Sequence, residues 1–503
     1  MSGAESRGLA ERGGRAIETP PDSWQRHETH GGSVVGYKIR PRLPGQPGRV
    51  RVLGTVSDIS RERIEVLGER EARRFVELRP RGNARIESAR TRMPNGVPSS
   101  WMVSLYEHPP IFVGTGSGGA FTDLDGNRYL DFNLADTSMF AGYGVAAITR
   151  AVSEQMAAGS QFLLPTEDSD LVAAELGRRF GLPLWQFTLS STQANTEAIR
   201  VARAVTGRST VLMFDGKYHG HADELLGELD AGAVIPEGLG VPRDATRHVR
   251  LVQYNDLEAV ERELVSGQIA CVLAEAAITN TGVIQPAEGF HPELRRLTEQ
   301  SGTLLVIDET HTLSAGPGGL TARWRLEPDM LVVGKSIAGG VPLGAYGMTE
   351  AVAAVLDHRA GASYGEQVAT GGTLFGNALS MAAARATLTE VLTPETYEQA
   401  ARQGQRLADG IEATASTHGL DWRAHRLYNR SGYTHGPELP ADAIDARSSF
   451  DVELYELQRM YMANRGIWEA ISSAGPACGI HTTTPDVDQY LNVLDAFIED
   501  LAR

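Results

Sequence analysis

The chain predicts an α/β fold built on a mostly parallel sheet covered by helices. Two observations carry this. Between about residues 145 and 390, amphipathic helical patterns alternate with short apolar runs: WQFTLS, STVLMFD, ACVLAEA, TLLVID and MLVVG. Runs of that kind, alternating with helices, read as parallel strands buried on both faces. The chain also has 503 residues at 42% hydrophobic content, enough for a large α/β enzyme or two domains.

The elements follow in chain order. Residues 1 to about 55 are rich in turn and proline signals (TPPDS, HGGS, RPRLPGQPGR), which predicts extended or irregular chain. VSDISRERIEVLGEREARRFVEL reads as a helix with Asp58 or Ser60 near its cap. GGAFTDLDGNRYLDF reads as a hairpin turning at Asp125-Gly126. After 390, RQGQRLADGIEATASTHG is helical, irregular chain follows, and VDQYLNVLDAFIEDLAR closes as an amphipathic helix. No repeat of fixed period is present.

Composition bounds the function. The net charge of −16 argues against general nucleic-acid binding. Residues 1–100 nevertheless hold 19 Lys and Arg against 12 Asp and Glu, a basic segment that suits packing on an acidic neighbour. No apolar run is long enough to span a membrane, and the start lacks the apolar region of a secretory signal. With only Cys271 and Cys478, the expectation is a reduced, cytoplasmic protein. No zinc spacing is present, and the HGH of residues 219–221 has no partner cluster nearby in sequence, so no metal is expected.

VVGKSIAGG, residues 332–340, ends an apolar strand in a lysine. A nucleotide-binding P-loop needs a glycine where Asp329 stands, so Lys335 is not read as a phosphate lysine. TLLVIDETHT places Asp308 and Glu309 at the end of a strand, the edge where ligands of parallel sheets bind. Such a carboxylate either caps the next turn or meets a buried cation. About 27 residues later the next strand ends at Lys335. A lysine that can form a Schiff base, with a carboxylate to hold a pyridine nitrogen protonated, suits pyridoxal phosphate chemistry. Either Asp308 or Glu309 can serve, according to which faces the crevice.

Three further stretches suit that cofactor. TLSSTQANTEAIRVAR runs from strand to helix through Ser190, Ser191 and Thr192, offering N–H groups and hydroxyls to an anion. Ordinary N-capping is the plainer reading. FDGKYHGHAD sets Tyr218 and His219 after another strand, with Tyr218 able to stack on a ring. GGTLFGNALSMAAARATL offers Gly372-Thr373 before a helix.

Together with FTDLDGNRYLDF, GVIQPAEGFHPELRRL and PDMLVVGKSIAGGVPLGAYG, and in this order, these stretches resemble the class III aminotransferases, fold type I pyridoxal phosphate enzymes. Within them the chain looks most like the glutamate-1-semialdehyde aminomutase group. The resemblance implies a large cofactor-binding domain at 146–390, a small α/β domain from 81–145 and 391–503, and an extension with one helix at 1–80. It implies catalytic roles for Lys335, as covalent anchor and proton shuttle, and for Asp308, on the ring nitrogen. Ser191 and Thr192 would bind the phosphate, and Tyr218 would stack with His219 beside it. Glu275 and Asn280 match positions near ring and substrate. Thr310 stands where the family has a valine against the ring, and its hydroxyl needs a partner. Thr373 would reach the phosphate of the second subunit of a homodimer.

One departure bears on substrate. PNGVPSSWM, residues 94–102, puts Met102 where related aminomutases carry a carboxylate-binding arginine. Trp101 and Met102 are then either core or an apolar pocket wall. Arg426, Arg430 and Arg465 are alternative sources of the carboxylate contact. The expected function is an aminotransferase moving an amino group between an amine or amino acid and a keto or aldehyde acceptor, with an apolar-tolerant pocket. An intramolecular aminomutase is the alternative. A ligand-sensing regulator with a DNA-binding arm is a remote one, since residues 1–100 show no helix-turn-helix spacing.

Overall fold

The computed structural model describes residues 59–106, 108–357, 367–469 and 475–503. The irregular chain expected up to about residue 55, and Asp58 as a cap, lie outside them. Helix Arg61–Glu77 starts one residue after Ser60, whose hydroxyl accepts from the Arg63 N–H at 3.4 Å. Its apolar stripe buries Ile64, Leu67 and Phe75, and the same face buries Glu71, which pairs with Arg465 at 3.0 Å.

Strands β1 (Val113–Ser117), β2 (Ala120–Asp123) and β3 (Arg128–Asp131) form an antiparallel meander. The β2–β3 turn falls at Asp125-Gly126 as expected, with Gly126 at φ 92°. Asp123 ties this turn by accepting from the N–H groups of Asp125 (2.9 Å) and Asn127 (2.8 Å). Asp125 points outward and accepts from the N–H groups of Arg81 and Gly82, both at 2.8 Å, at the start of helix Pro80–Ala89.

The main sheet draws on β4 (Leu184–Thr188), β5 (Thr210–Phe214), β8 (Val249–Val252), β9 (Ile269–Glu275), β10 (Leu304–Asp308), β11 (Met330–Val333) and β12 (Gly344–Met348). A small hairpin, β6 (Gly227–Asp230) with β7 (Ala233–Pro236), lies between β5 and β8 in sequence. The main sheet's order is β4-β12-β11-β10-β9-β5-β8. Only β12 runs against its neighbours, so six strands end at one edge. All seven residues of β9 are buried, as a central strand covered on both faces requires.

Short β13 (Arg423–Ala424) and β14 (Tyr433–Thr434) pair antiparallel, and β15 (Ile467–Trp468) joins β3 in parallel. The expected C-terminal helices are Pro394–Thr417 and Thr484–Ala502. One apolar cluster lies on each face of the main sheet's centre: Phe214, Val272 and Ile307 in one, Met213, Leu273 and Val306 in the other. The alternation of β-strand side chains produces that division. The four-stranded sheet packs into a third cluster with the C-terminal helices, including Leu130, Ile467, Leu494 and Phe497. The domain boundaries near 145 and 390 are kept as a proposal that assigns these two sheets to separate lobes. Cys271 and Cys478 are both free and buried. No helix among the described residues is long and apolar enough to cross a membrane.

Candidate active site

The shared C-terminal edge of the parallel strands gathers the chemistry. The register sets Asp308 of β10 directly beside Glu275 of β9 and Val332 of β11. Lys335 follows β11 after Gly334. Asp308 and Lys335 therefore reach one crevice.

Asp308 is the carboxylate facing the crevice. Its Oδ2 accepts from Asn195 Nδ2 at 2.8 Å and lies 2.9 Å from His219 Nδ1, while Oδ1 accepts from the Thr310 N–H at 3.0 Å. Burial by itself pushes this carboxyl up. The His219 hydrogen bond and charge, with Thr310 and Asn195, outweigh burial and hold it below the usual carboxylate range. Asp308 is therefore ionised at neutral pH. Glu309 turns the other way, because consecutive residues at a strand end point to opposite sides. It accepts from the Thr312 and Thr321 hydroxyls and the N–H groups of Leu320 and Thr321, and burial raises its pKa.

Lys335 adopts φ 49°, and its side chain remains 17% exposed. Its Nζ donates to the Asp136 carboxylate and, at 3.0 Å, to the Asp136 carbonyl. Burial lowers the lysine's pKa, Asp136 raises it and Arg430 lowers it further, with a net result below the ordinary lysine value. A lysine held in this way is easier to deprotonate to a nucleophile.

Ser190 caps helix Ser191–Thr206 through the Gln193 N–H at 3.4 Å. Ser191 Oγ is buried with no hydrogen-bond partner among the described residues. The Thr192 hydroxyl accepts from the His221 N–H at 3.1 Å. Glu275 accepts from the Tyr218 N–H at 3.1 Å and the Thr279 hydroxyl at 2.7 Å, and lies 3.6 Å from His311. The Tyr218 and His311 rings are nearly parallel, 6.4 Å apart.

The remaining expected residues divide. His219 is buried against Asp308. His221, the other half of the HGH pair, lies 5.9 Å from the Trp101 ring. Thr310 keeps a buried hydroxyl without a partner among the described residues. Asn280 is half-buried just beyond β9, and Thr373 is exposed. Trp101 and Met102 are not core: they are 39% and 48% exposed, with the Trp101 ring 5.5 Å from Tyr218. Of the three arginines, Arg426 pairs with Asp409 (2.8 Å) and Glu412 (2.7 Å), and Arg465 with Glu71. Arg430 alone reaches the site, donating to the His311 carbonyl at 3.3 Å while its Nε has no partner among the described residues.

Sequence reasoning missed Asn195, His311 and Asp136. Asn195 had a signal, since it falls one helical turn after Ser191 on the helix's buried face. His311 stood within IDETHT, beside Asp308. Asp136 had none, because it comes from the β3 side of the molecule.

Residues 102–421 match the family profile described as Aminotransferase class-III. A glutamate-1-semialdehyde 2,1-aminomutase of Exiguobacterium sp. is 32% identical over 438 residues, covering 84% of this chain and 97% of that relative. The crystal structure of a glutamate-1-semialdehyde aminomutase from Pseudomonas aeruginosa is similar at TM-score 0.84 and 37% identity, covering 88% of this chain and 99% of that one. The same enzyme has been solved in complex with PMP, the aminated cofactor. A β-phenylalanine aminotransferase from Variovorax paradoxus aligns at TM-score 0.78 and 28% identity, covering 87% of this chain and 97% of that one. The chain belongs to the class III aminotransferases, fold type I enzymes whose cofactor is pyridoxal 5′-phosphate.

Proposed function

We propose that this protein transfers amino groups on small molecules with Lys335 and Asp308 as its catalytic pair. The observation that carries the reading is the ionised, buried Asp308 sharing a crevice with a lysine of lowered pKa.

The residues fit the cofactor. The orphaned Ser191 hydroxyl and the helix start behind it suit a phosphate. A Cβ on Gly334 would stand 2.0 Å from Ser191 Oγ, so a larger residue there would displace that hydroxyl. When bound, pyridoxal phosphate supplies an aldehyde carbon for a covalent bond to nitrogen and a ring that draws electrons from the substrate carbon. Asp308, its orientation fixed by His219 and Asn195, would hold the pyridine nitrogen protonated. Lys335 would hold the cofactor covalently through its Nζ and, as a free amine, would be the group to move a proton at the substrate carbon. Tyr218 would cover one side of the ring, and Glu275 and Asn280 would border the substrate.

The amino group moves within one molecule in the reading we favour, because the relatives reported above at 32% and 37% identity are aminomutases. Transamination between a separate donor and acceptor is the second reading. It is favoured by the exposed Trp101 and Met102, the Trp101 ring lying 5.5 Å from that of Tyr218, and by the likeness to a β-phenylalanine aminotransferase. In either case Arg430 is the cation placed to meet a substrate carboxylate.

Lys335→Ala tests the common core. The purified wild type loaded with cofactor is expected to be yellow, and the variant to lose that absorbance and at least about 10²-fold of turnover. Retained colour and rate would assign the anchor to another lysine. Glutamate-1-semialdehyde supplied alone, against an amino donor with a keto acceptor, separates the two readings.

A further inference from the structure

Four consecutive non-glycine residues, Leu134 to Thr137, have positive φ (54°, 45°, 55° and 65°). Each is disfavoured in this left-handed conformation, where Cβ crowds the following carbonyl oxygen. Such a turn persists only where its surroundings enforce it. Here Asp131 does so, accepting from the N–H groups of Asn133 (2.9 Å) and Leu134 (2.7 Å) and from the Tyr143 hydroxyl (2.7 Å). The turn aims two oxygens of Asp136, one from its carboxylate and one from its carbonyl, at the single nitrogen of Lys335. The pair forms a cradle for one ammonium group.

We propose that Asp136 is a catalytic residue that recognises the substrate's ammonium group and takes one of its protons. This rests on the amino-transfer reading above. Lys335 gives up its ammonium on joining the cofactor, which leaves the two oxygens without their cation. The substrate's nitrogen must approach the same carbon that Lys335 holds, so it comes within reach of the same oxygens. A substrate arriving as R–NH₃⁺ is not a nucleophile. Transfer of one proton to the Asp136 carboxylate yields R–NH₂ and a neutral carboxyl. The carboxyl holds that proton while Lys335, released as a free amine, serves as the base, and gives it up when transfer is complete, to the departing amine as Lys335 rejoins the cofactor or to Lys335 itself where it stays free. No other reactant is needed.

The surroundings suit this cycle. Burial pushes the Asp136 carboxyl up, while Lys335, His311 and Arg430 bring it down to a net value below the usual range. Loss of the Lys335 charge removes the strongest of the lowering influences, so Asp136 becomes a better base when a base is required. The other groups facing it are His311, with Nε2 at 4.0 Å, Arg430 and the phenols of Tyr218 and Tyr106.

The test is Asp136→Asn, since asparagine tolerates the left-handed conformation better than most residues. Single-turnover conversion of the cofactor by a primary amine is followed by absorbance across pH in both proteins. The variant is expected to keep its yellow colour. Its rate should fall about 10²-fold at pH 7 and climb tenfold per pH unit toward the amine's own pKa, where the wild type is flatter. In the cofactor-free proteins, Lys335 should react faster with an amine-directed acylating reagent in the variant, because its ammonium has lost its counter-charge. Equal pH profiles, or a loss independent of pH with unchanged lysine reactivity, would overturn the role of Asp136. A wild type that converts no amine overturns the amino-transfer reading itself, together with this inference. A variant that loses its colour is examined as Asp136→Glu, where rescue of the flat profile supports the role and its absence overturns it.

Discussion

His219 Nδ1 lies 2.9 Å from Asp308 Oδ2, and both side chains are almost wholly buried. Burial alone drives the Asp308 carboxyl toward its neutral form, and His219 is the foremost influence against it. His219→Phe is therefore expected to raise the pKa of Asp308 and weaken its hold on the ring nitrogen. Loss of one charge-assisted hydrogen bond, about 1.5–3 kcal/mol, corresponds to about 10- to 100-fold in rate. The check is the pH dependence of the half-reaction. The acid limb should move to higher pH with the cofactor still bound, and an unmoved limb would leave His219 a packing role only.

Trp101 is exposed yet lies against Tyr218 with the two rings tilted, their centroids 5.5 Å apart. If the pair walls the substrate space, Trp101→Ala should raise KM for aromatic donors by up to about tenfold, from a ring contact worth about 0.5–1.5 kcal/mol. KM for small aliphatic donors should change little. Met102→Arg should shift preference toward acidic substrates, because a guanidinium binds a carboxylate in bidentate fashion. A donor panel in which aromatic and aliphatic substrates respond equally would remove both residues from the pocket.

Thr373 is exposed, and the neighbouring Leu374 is 50% exposed. Gln161 donates to the Thr373 carbonyl, which brings Phe162, Leu163 and Leu164, exposed by 48%, 69% and 70%, beside it. Such an exposed apolar group suits contact with a second copy of the chain. Sedimentation should show a dimer. Leu163→Glu with Leu164→Glu should weaken it and lower cofactor retention, and Thr373→Ala should lower retention in an intact dimer. A fully active monomer would end the shared-site proposal.

Glu469 is buried where Tyr490 and Gln458 donate to its carboxylate. Burial dominates and raises its pKa to about 7. A raised carboxyl contributes stability that is present below its unfolded value, near 4.5, and lost as pH rises through 7. Glu469→Gln removes that dependence. Relative to the variant, the wild type should lose about 3 kcal/mol between pH 4.5 and pH 8. His425 and His435, lowered to about 4 by burial, act in the opposite sense on acidification. They are common to both proteins, so the difference between the two unfolding curves isolates Glu469. Parallel curves would show that its carboxyl titrates normally.

The covalent pattern of the site was legible in the sequence because it is local. A parallel strand buried on both faces must be apolar along its length and must end where its helix connection begins. IDETHT and VVGKS therefore marked Asp308 and Lys335 as residues of one sheet edge. SSTQANTEAIR marked a helix start for the same reason, through the needs of unpaired N–H groups. What the sequence left open was which of two adjacent carboxylates faces the crevice, whether Trp101 and Met102 are buried, and which arginine is near. Those depend on direction and distance. The β10 register sends Glu309 to the opposite side, and acidic neighbours on the surface occupy Arg426. Asp136 lies furthest from sequence reach: 199 positions separate it from Lys335, and only a left-handed turn, enforced by hydrogen bonds to Asp131, brings its oxygens to that nitrogen. Local pattern determines where a strand ends and what chemistry stands there, while charge pairing across the chain is decided by packing, because it depends on three-dimensional proximity that no spacing records.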